Sequence, residues 1–418
     1  MDNMINFIKR QFKSKFVEDN LILLIGTTIL NVFGFLFHFY MGRKLGPADY
    51  GILGTILTLV YLIGISFNTI QTSIAKFVSG FRTKKAYSKI SYLLSASIKR
   101  LFFYSLIAMG VFLLLSNIIA SFLNISISPI IVVSPFIIFI SLAAINRGIL
   151  QGLQKFKGLS LTLITEGFVK LFGGILLVSI GWKINGAILA IVLSYVFSFF
   201  IGFIPLRKIA NYKKSKFETK QVYSYSLPVL IMLLSLTAYN SIDLILIKHF
   251  FDNVQAGYYA AMSLIGKILF FGCISISQVM FPKVSELHES GKPHKHILYK
   301  SFLSVLIFIS PIILIYFLFP SLIVNLLYGK EFLEISSLIG WFSVFVGLFC
   351  LVYILSFYNI SINKKGFLYI LALFNLIEIV LLYSFHNSLI QVIFILISLM
   401  SLLFIILMIY TLKHTNKA

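Results

Sequence analysis

The sequence predicts an all-α integral membrane protein with twelve transmembrane helices arranged in two six-helix lobes. Of its 418 residues, 59% are hydrophobic and only 11% are charged, whereas soluble domains have roughly 25% charged residues. The mean hydropathy is +0.99. A helix satisfies its own backbone hydrogen bonds, so lipid accepts long apolar helices but not exposed irregular backbone. We therefore expect spans of about 20 apolar residues each.

Twelve apolar segments are long enough to be such spans. They are 21–40, 52–74, 98–124, 129–150, 159–181, 184–206, 226–250, 258–281, 297–319, 335–357, 367–385 and 388–412. Only His386 and Asn387 separate the last two segments. A single bent element therefore also fits that end of the chain.

The chain also divides by the polarity of its connecting segments. Residues 1–18 place apolar side chains at helical spacing opposite Lys9, Arg10 and Lys13, which is typical of a helix lying on the inner membrane surface. No cleavage pattern follows, so we do not expect a cleavable signal. The predicted domains are a surface segment at 1–18, an N-lobe at 19–206, a basic linker at 207–225, a C-lobe at 226–412 and a tail at 413–418.

The basic residues predict the orientation in the membrane. Most lie on one side of the predicted spans, and the opposite side has only Arg43, Lys44, Lys183, Lys248 and Lys330. Because basic loops stay inside, both termini are expected in the cytoplasm of a multi-pass protein of the cytoplasmic membrane. The net charge of +22 is dispersed over short loops. This pattern indicates contact with anionic membrane lipids and argues against nucleic acid as a partner.

The two halves of the sequence resemble each other weakly. Sliding one onto the other superposes the polar break at 45–51 on that at 251–257, and 154–158 on 363–366 with one gap. An even number of spans in each unit predicts parallel repeats related by an axis along the membrane normal. Such repeats leave a central cleft with a site near the midplane. A channel is less favoured, because no repeated selectivity-filter sequence is present.

Six motifs follow one another in order along the predicted spans. They are GRKLGPADYG at 42–51, RGILQGLQKF at 147–156, YSLP at 225–228, NSID at 240–243, AGYYA at 256–260 and QVMFPKVS at 278–285. Over residues 21–363 the chain resembles the polysaccharide-exporter branch, the Wzx-type flippases, of the multidrug/oligosaccharidyl-lipid/polysaccharide (MOP) superfamily.

The resemblance implies both a fold and a function. It implies a MATE-like, V-shaped bundle of two lobes that opens alternately to either face. The implied cargo is an oligosaccharide linked to undecaprenyl or dolichyl (pyro)phosphate, moved for the assembly of cell-surface polysaccharide or glycoprotein glycans. Some relatives couple transport to H⁺ or Na⁺, and others are drug/cation antiporters or lipid II flippases. We expect a monomer that needs no cofactor.

Cations inside the predicted spans are candidates for binding the phosphate of such a cargo. Lys170 and Lys267 lie well inside spans, whereas Lys76 and Arg147 lie near predicted cytoplasmic ends. Arginine offers phosphate a bidentate fork and lysine a point charge. Lys76 and Arg147 could instead extend to the lipid headgroups. Polar residues that could contact sugar hydroxyls, or join helices by hydrogen bonds, are Asn68, Gln71, Asn146, Tyr239 and Asn240.

Two other pairs of residues have structural interpretations. Glu166 and Lys170 are four residues apart, so on one helix face they can neutralise each other as a structural pair. Cys273 and Cys350 fall inside spans without CxxC or metal-ligand spacing, which favours packing. The sequence predicts no metal site.

Two embedded carboxylates in the second half are candidates for ion coupling. Asp243 and Glu378, with Asn375 nearby in sequence, could form a site for H⁺ or Na⁺, since hard cations prefer carboxylate and amide oxygens. Alternatively, Asp243 could pair with Lys248 near the outer surface.

Two other functions compete with the flippase interpretation. A membrane glycosyltransferase or polymerase is disfavoured, because the longest predicted external loop, 320–334, has only Glu331 and Glu334 as acids. The sequence also lacks GxSxG and HExxH motifs. A cation-coupled drug antiporter of the same fold is the closer alternative. The excess of embedded cations over acids favours an anionic cargo.

Overall fold

The computed structural model describes residues 15–216 and 227–415, and every regular element in these ranges is a helix. Ten of the described helices are long and apolar enough to cross a membrane. The predicted class, an all-α multi-pass membrane protein, is thereby confirmed. Residues 1–14 of the surface segment predicted at 1–18, residues 217–225 of the linker predicted at 207–225 and residues 416–418 of the tail predicted at 413–418 lie outside the described residues.

The first part of the described chain has nine α-helices. They are α1 (Lys15–Thr83), α2 (Tyr87–Leu114), α3 (Ser116–Phe122), α4 (Ser128–Val133), α5 (Phe136–Gly152), α6 (Phe156–Phe168), α7 (Gly174–Leu177), α8 (Lys183–Phe203) and α9 (Arg207–Ala210). Two π-helical turns, Val169–Gly173 and Val178–Trp182, flank α7, and a 3-10 turn, Ile204–Leu206, precedes α9.

The second part of the described chain has eight α-helices. They are α10 (Leu227–Ala238), α11 (Ile242–Phe250), α12 (Asn253–Glu289), α13 (Lys295–Leu318), α14 (Pro320–Leu327), α15 (Ser336–Ser361), α16 (Phe367–Ser384) and α17 (Leu389–Thr415), with a 3-10 turn at Lys330–Ile335. The last two predicted spans are thus separate helices and not one bent element.

Two of the ten membrane-crossing segments are far longer than one crossing requires. Ile22–Thr83 has 62 residues and Phe156–Ala210 has 55. At about 1.5 Å per residue, each would exceed the hydrocarbon core of about 30 Å more than twofold. Two crossings for each would give the predicted twelve, although the number twelve itself stays a prediction.

The break inside α1 has a clear local cause. Gly46 has φ 71° and ψ 173°, a left-handed conformation that glycine adopts at little cost. Pro47 follows and has no N–H to donate to the preceding turn. One helix therefore ends and the next begins within the polar segment 45–51, where the sequence predicts a loop between the first two spans.

The structure consists of two compact units. The first contains Met1–Met41 and Ile63–Leu227, and the second contains Gly42–Leu62 and Pro228–Ala418. The core of the first unit is aliphatic and includes Ile74, Val78, Ile90, Leu93, Ile145 and Ile149, all buried. In the second unit, α15 is among the most buried helices and supplies Phe345, Phe349, Val352, Ile354 and Leu355 to the core.

Residues 42–62 pack in the second unit, although the sequence predicts them inside an N-lobe at 19–206. The hydroxyl groups of Tyr50 and Tyr328 are hydrogen-bonded at 3.0 Å. A Cβ atom added at Gly257 would lie 1.8 Å from the backbone oxygen of Pro47, so only glycine allows this close approach. The polar breaks at 45–51 and 251–257, which the weak sequence repeat superposes, therefore contact each other.

Candidate functional site

The charged group most firmly held in the first unit is Arg147, on α5. Its side chain is only 9% exposed and forms a salt bridge with Glu166 on α6. The guanidinium also donates to the Oγ of Ser198 at 2.7 Å and to the Oγ1 of Thr162 at 3.3 Å. Arg147 thus joins α5, α6 and α8, and its fork is already occupied by protein oxygens.

The predicted structural pair of Glu166 and Lys170 forms no direct salt bridge in the described structure. The direct salt bridge of Glu166 is with Arg147, and Lys170 interacts with Glu166 only electrostatically, without a salt bridge between them in the described structure. The reason is local: α6 ends at Phe168, and Lys170 lies in the π-helical turn Val169–Gly173. The wider winding of a π turn displaces a side chain from its i,i+4 alignment.

Lys170 instead lies against an aromatic ring. Its Nζ is 4.9 Å from the ring centroid of Phe37 on α1, a geometry in which the ring face attracts a cation. Its side chain is half-buried. A lysine of intermediate exposure inside a membrane span, without a salt bridge in the described structure, is a candidate for contact with an anionic ligand.

The other predicted site residues of the first unit are weaker candidates for binding phosphate or sugar. Gln71 donates to Gln151 at 3.2 Å, and the Nδ2 of Asn146 donates to the backbone oxygen of Phe199 at 2.9 Å. Both are helix-to-helix hydrogen bonds, the common role of such residues in membranes. Lys76 is exposed near the end of α1.

The second unit contains a discontinuous span. Leu230–Phe250 is one membrane-crossing segment, yet α10 ends at Ala238 and α11 begins at Ile242. In transporters, breaks of this kind place helix ends and free backbone groups at binding sites near the midplane. At this break the hydroxyl of the buried Tyr239 donates to the backbone oxygen of Leu371 at 2.6 Å. Asn240 is half-buried in the same turn.

Asp243 lies in the first turn of α11 and is 1% exposed. Its Oδ1 accepts from the backbone N–H of Leu244 at 2.7 Å, and its Oδ2 accepts from the hydroxyl of Tyr259 at 2.7 Å. Asp243 thus contacts a hydroxyl and a backbone N–H, and the alternative, a pair with Lys248, stays a prediction.

Glu378 and Asn375, one turn apart on α16, are buried acceptors. Glu378 is 0% exposed and Asn375 is 8% exposed. Asn375 donates to the backbone oxygen of Leu371 at 3.0 Å and of Ser235 at 3.3 Å. Within the part of the chain that the structure describes, the Oδ1 of Asn375 and both carboxylate oxygens of Glu378 have no hydrogen-bond partner. Buried acceptors without donors favour a bound cation or proton.

Electrostatic interactions connect these groups to Lys267 on α12. Asp243 lies within electrostatic range of both Glu378 and Lys267. No salt bridge joins Lys267 to Asp243 in the described structure. The Nζ of Lys267 instead lies 5.4 Å from the ring centroid of Tyr61, and its side chain is half-buried.

Comparisons with known proteins identify the family. The sequence pattern of a family described as polysaccharide biosynthesis protein matches residues 40–337. The chain belongs to the polysaccharide biosynthesis protein family. An uncharacterized membrane protein of Methanocaldococcus jannaschii is 27% identical to it over 294 residues, which are 65% of this chain and 68% of that protein.

Solved structures similar to this family member share its fold. An inward-facing multidrug resistance MATE family transporter of the MOP superfamily has a TM-score of 0.78 at 12% identity, covering 95% of this chain and 99% of that one. Lipid II flippase MurJ in an inward closed conformation has a TM-score of 0.74 at 15% identity, covering 95% and 87%. These likenesses confirm the predicted MATE-like fold class.

In this polysaccharide biosynthesis family member, each unit has its own group of predicted site residues. The first unit contains Gln71, Lys76, Asn146, Arg147, Glu166 and Lys170, and the second contains Tyr239, Asn240, Asp243, Lys267, Asn375 and Glu378. The sequence reasoning missed Tyr259, which holds Asp243, and Tyr61, which lies beside Lys267. Tyr259 falls within the AGYYA motif at 256–260, the one available signal for it.

Proposed function

We propose that this chain is a flippase that moves polyprenyl-(pyro)phosphate-linked oligosaccharide across the cytoplasmic membrane by alternating access. The translocated oligosaccharide would be used in the assembly of cell-surface polysaccharide or glycoprotein glycans. Membership of the polysaccharide biosynthesis protein family supports the cargo class. The main structural support is that Lys170 and Lys267 are half-buried inside membrane spans, each against an aromatic ring and without a salt bridge in the described structure.

A phosphate headgroup crossing lipid needs such cations. Embedded charges are costly in lipid and are rarely retained without a function. Lys170 and Lys267 provide one ammonium group in each unit, whereas the guanidinium of Arg147 is occupied by Glu166, Ser198 and Thr162. Of the predicted phosphate ligands, the two lysines are therefore the strongest candidates, and Arg147 is better explained as a structural residue.

The decisive experiment is substitution of Lys170 by alanine. We expect Lys170→Ala to abolish translocation of a fluorescent lipid-linked oligosaccharide in proteoliposomes, because the cargo phosphate loses its counter-charge, while the amount of folded membrane protein stays unchanged. The matched control is Lys183→Ala, which removes an exposed lysine and should transport normally. Full activity of Lys170→Ala would exclude the proposed role of this cation.

We further propose that Asp243, Glu378 and Asn375 hold the coupling ion, H⁺ or Na⁺, as a co-substrate. Their oxygens are of the type that hard cations prefer, and those of Glu378 have no hydrogen-bond partner in the described structure. The same carboxylates also suit a cationic cargo, which supports the drug antiporter as a second candidate. Uptake of a cationic dye that exceeds transport of the lipid-linked sugar in the same proteoliposomes would favour the antiporter.

A further inference from the structure

A small cavity lies at one end of the second unit. Its volume is about 300 Å³, and it is formed by the first turns of α12, α15 and α17, the 3-10 turn before α15 and the turn 385–388. Its described lining includes neither Asp243 nor Glu378. The distribution of basic residues predicts that this end of the unit faces away from the cytoplasm. The cavity is therefore a second candidate site in this unit.

The wall of this cavity combines polar and apolar side chains. Ile335 and Leu389 are buried apolar residues in the lining. Amide and hydroxyl groups, which are frequent among the polar lining residues, both donate and accept hydrogen bonds. The hydroxyl groups of a sugar do the same, and the C–H faces of its ring can lie against apolar side chains. The polar lining residues are Gln255, Tyr258, Glu334, Ser337, Asn387 and Ser388.

The α12 side of the cavity is held by contacts within the unit. Asp252 caps this helix, because its Oδ1 accepts from the backbone N–H of Gln255 at 2.8 Å. Tyr258 lies one turn further along the same helix. Its ring packs edge-on against the buried ring of Phe332, with the centroids 6.0 Å apart. The amide of Gln255 and the ring of Tyr258 are thus on a helix end that is already fixed.

The turn 385–388 on the other side of the cavity is also hydrogen-bonded. The backbone N–H of Asn387 donates to the Oε1 of Gln391 at 2.8 Å. The backbone N–H of Gln391 in turn donates to the Oγ of Ser388 at 3.3 Å. These bonds join the turn to the start of α17. A ligand at Asn387 and Ser388 therefore pays less to order the segment that binds it.

The charge and the size of the cavity indicate the class of ligand. Glu334 is the charged residue in the described lining, and it is exposed. A carboxylate repels phosphate, so the anionic part of the cargo does not fit here. Ligand pockets have volumes of about 300–1,000 Å³, and a cavity at the lower limit suits one sugar ring better than a whole oligosaccharide.

We propose that this cavity binds one neutral sugar residue of the lipid-linked cargo. The inference rests on the proposed function and gives the glycan a site separate from that of the phosphate. The amides of Gln255 and Asn387 donate to and accept from sugar hydroxyls, and the carboxylate of Glu334 accepts from them. Tyr258 provides a ring face and a hydroxyl group. The affinity for cargo therefore depends on its glycan as well as on its phosphate.

The test is equilibrium binding to the full-length protein in nanodiscs. The probes are undecaprenyl pyrophosphate without sugar and the same lipid carrying glucose, galactose, mannose or N-acetylglucosamine. We expect at least one glycosylated probe to bind about tenfold tighter than the bare lipid. Asn387→Ala and Gln255→Ala should each weaken binding of that probe about fivefold, the effect of one lost hydrogen bond, without changing binding of the bare lipid. The matched control Asn325→Ala, at an exposed position of α14 outside the cavity, should bind like the wild type.

Protection of an introduced cysteine locates the bound sugar. Ser337→Cys places a thiol in an exposed part of the lining, and the native Cys273 and Cys350 are both buried. The glycosylated probe that binds most tightly should slow the reaction of this thiol with a maleimide, whereas the bare lipid should not. Ser321→Cys is the matched control, because Ser321 is exposed on α14 outside the cavity, and neither lipid should protect it.

The possible outcomes separate this inference from the proposed function. Equal affinity for the bare lipid and all glycosylated probes would overturn the sugar site, and so would an equal loss of both kinds of binding in Asn387→Ala and Gln255→Ala. Protection of Ser337→Cys by a cationic dye and by none of the sugar probes would also overturn it and would favour the antiporter. The proposed function fails on a different result, which is binding of the bare lipid to Lys170→Ala as tightly as to the wild type.

Discussion

The buried carboxylates of the two units have different surroundings. In the first unit, Glu166 is neutralised by a direct salt bridge to Arg147, which is also bonded to Ser198 and Thr162. In the second unit, Glu378 is fully buried and neither of its oxygens has a hydrogen-bond partner in the described structure. Glu166 is therefore part of a complete hydrogen-bond network, whereas both oxygens of Glu378 are unused hydrogen-bond acceptors in the described structure.

This difference assigns different roles to similar residue types. A buried acid with a matched arginine behaves as a structural element, since removing either partner leaves an uncompensated charge. A buried acid without a donor is a place for a mobile positive charge. The lysines also differ, because Lys267 is attracted to the acid Asp243 while Lys170 lies near an acid already paired with Arg147. We therefore expect ion coupling in the second unit and not in the first.

The largest expected effect is on the stability of the first unit. Arg147→Ala leaves Glu166 buried and unpaired, and breaking a buried pair typically costs about 3–5 kcal/mol. We expect a marked fall in the yield of folded protein and in the thermal unfolding temperature in detergent. The double variant Arg147→Met with Glu166→Leu removes both charges and should recover most of the stability. A single variant as stable as the wild type would show that the salt bridge is not structural.

The same substitution at Glu166 and at Glu378 compares the roles of the buried acids in the two units directly. Glu166→Gln should lose about 3–5 kcal/mol, because the guanidinium of Arg147 then lacks its counter-charge. Glu378→Gln should cost little or even stabilise the protein, because it removes a buried carboxylate without described partners. The same change should remove the dependence of transport on Na⁺ or H⁺. Equal loss of stability in both variants, with cation dependence intact, would contradict the comparison.

The helices were predictable from the sequence because lipid imposes a simple rule on length and polarity. The break at Gly46 follows from local composition, whereas the sequence left open whether the last two spans are separate helices or one bent element. The salt-bridge partner of Glu166 could not be predicted from the sequence, because the i,i+4 rule assumes an α-helix and Lys170 lies in a π turn. Arg147 is the partner of Glu166 because helix packing brings the two side chains together, and no spacing rule within one helix predicts this.

Long-range contacts explain the other features of the site and the fold that could not be predicted from the sequence. Tyr259 holds Asp243 from a different helix, and Tyr61 contacts Lys267 although more than 200 residues separate them. No periodicity within one helix reports such pairs. The packing of 42–62 in the second unit has the same origin, since it depends on the approach of Pro47 to Gly257. The sequence repeat had superposed these segments but gave no indication that they are in contact.

The smallest expected effects come from removing one hydroxyl in each unit. Ser198→Ala deletes a donor–acceptor contact of Arg147 at 2.7 Å and should lower stability by about 0.5–1.5 kcal/mol, with no change in cation dependence. Tyr259→Phe deletes the bond to Asp243 and should change the cation concentration needed for half-maximal transport by a few-fold. Thermal unfolding and a cation titration of transport, measured on both variants, distinguish the two effects. If Ser198→Ala shifts the cation titration as much as Tyr259→Phe does, ion binding is not confined to the second unit and the division of roles is wrong.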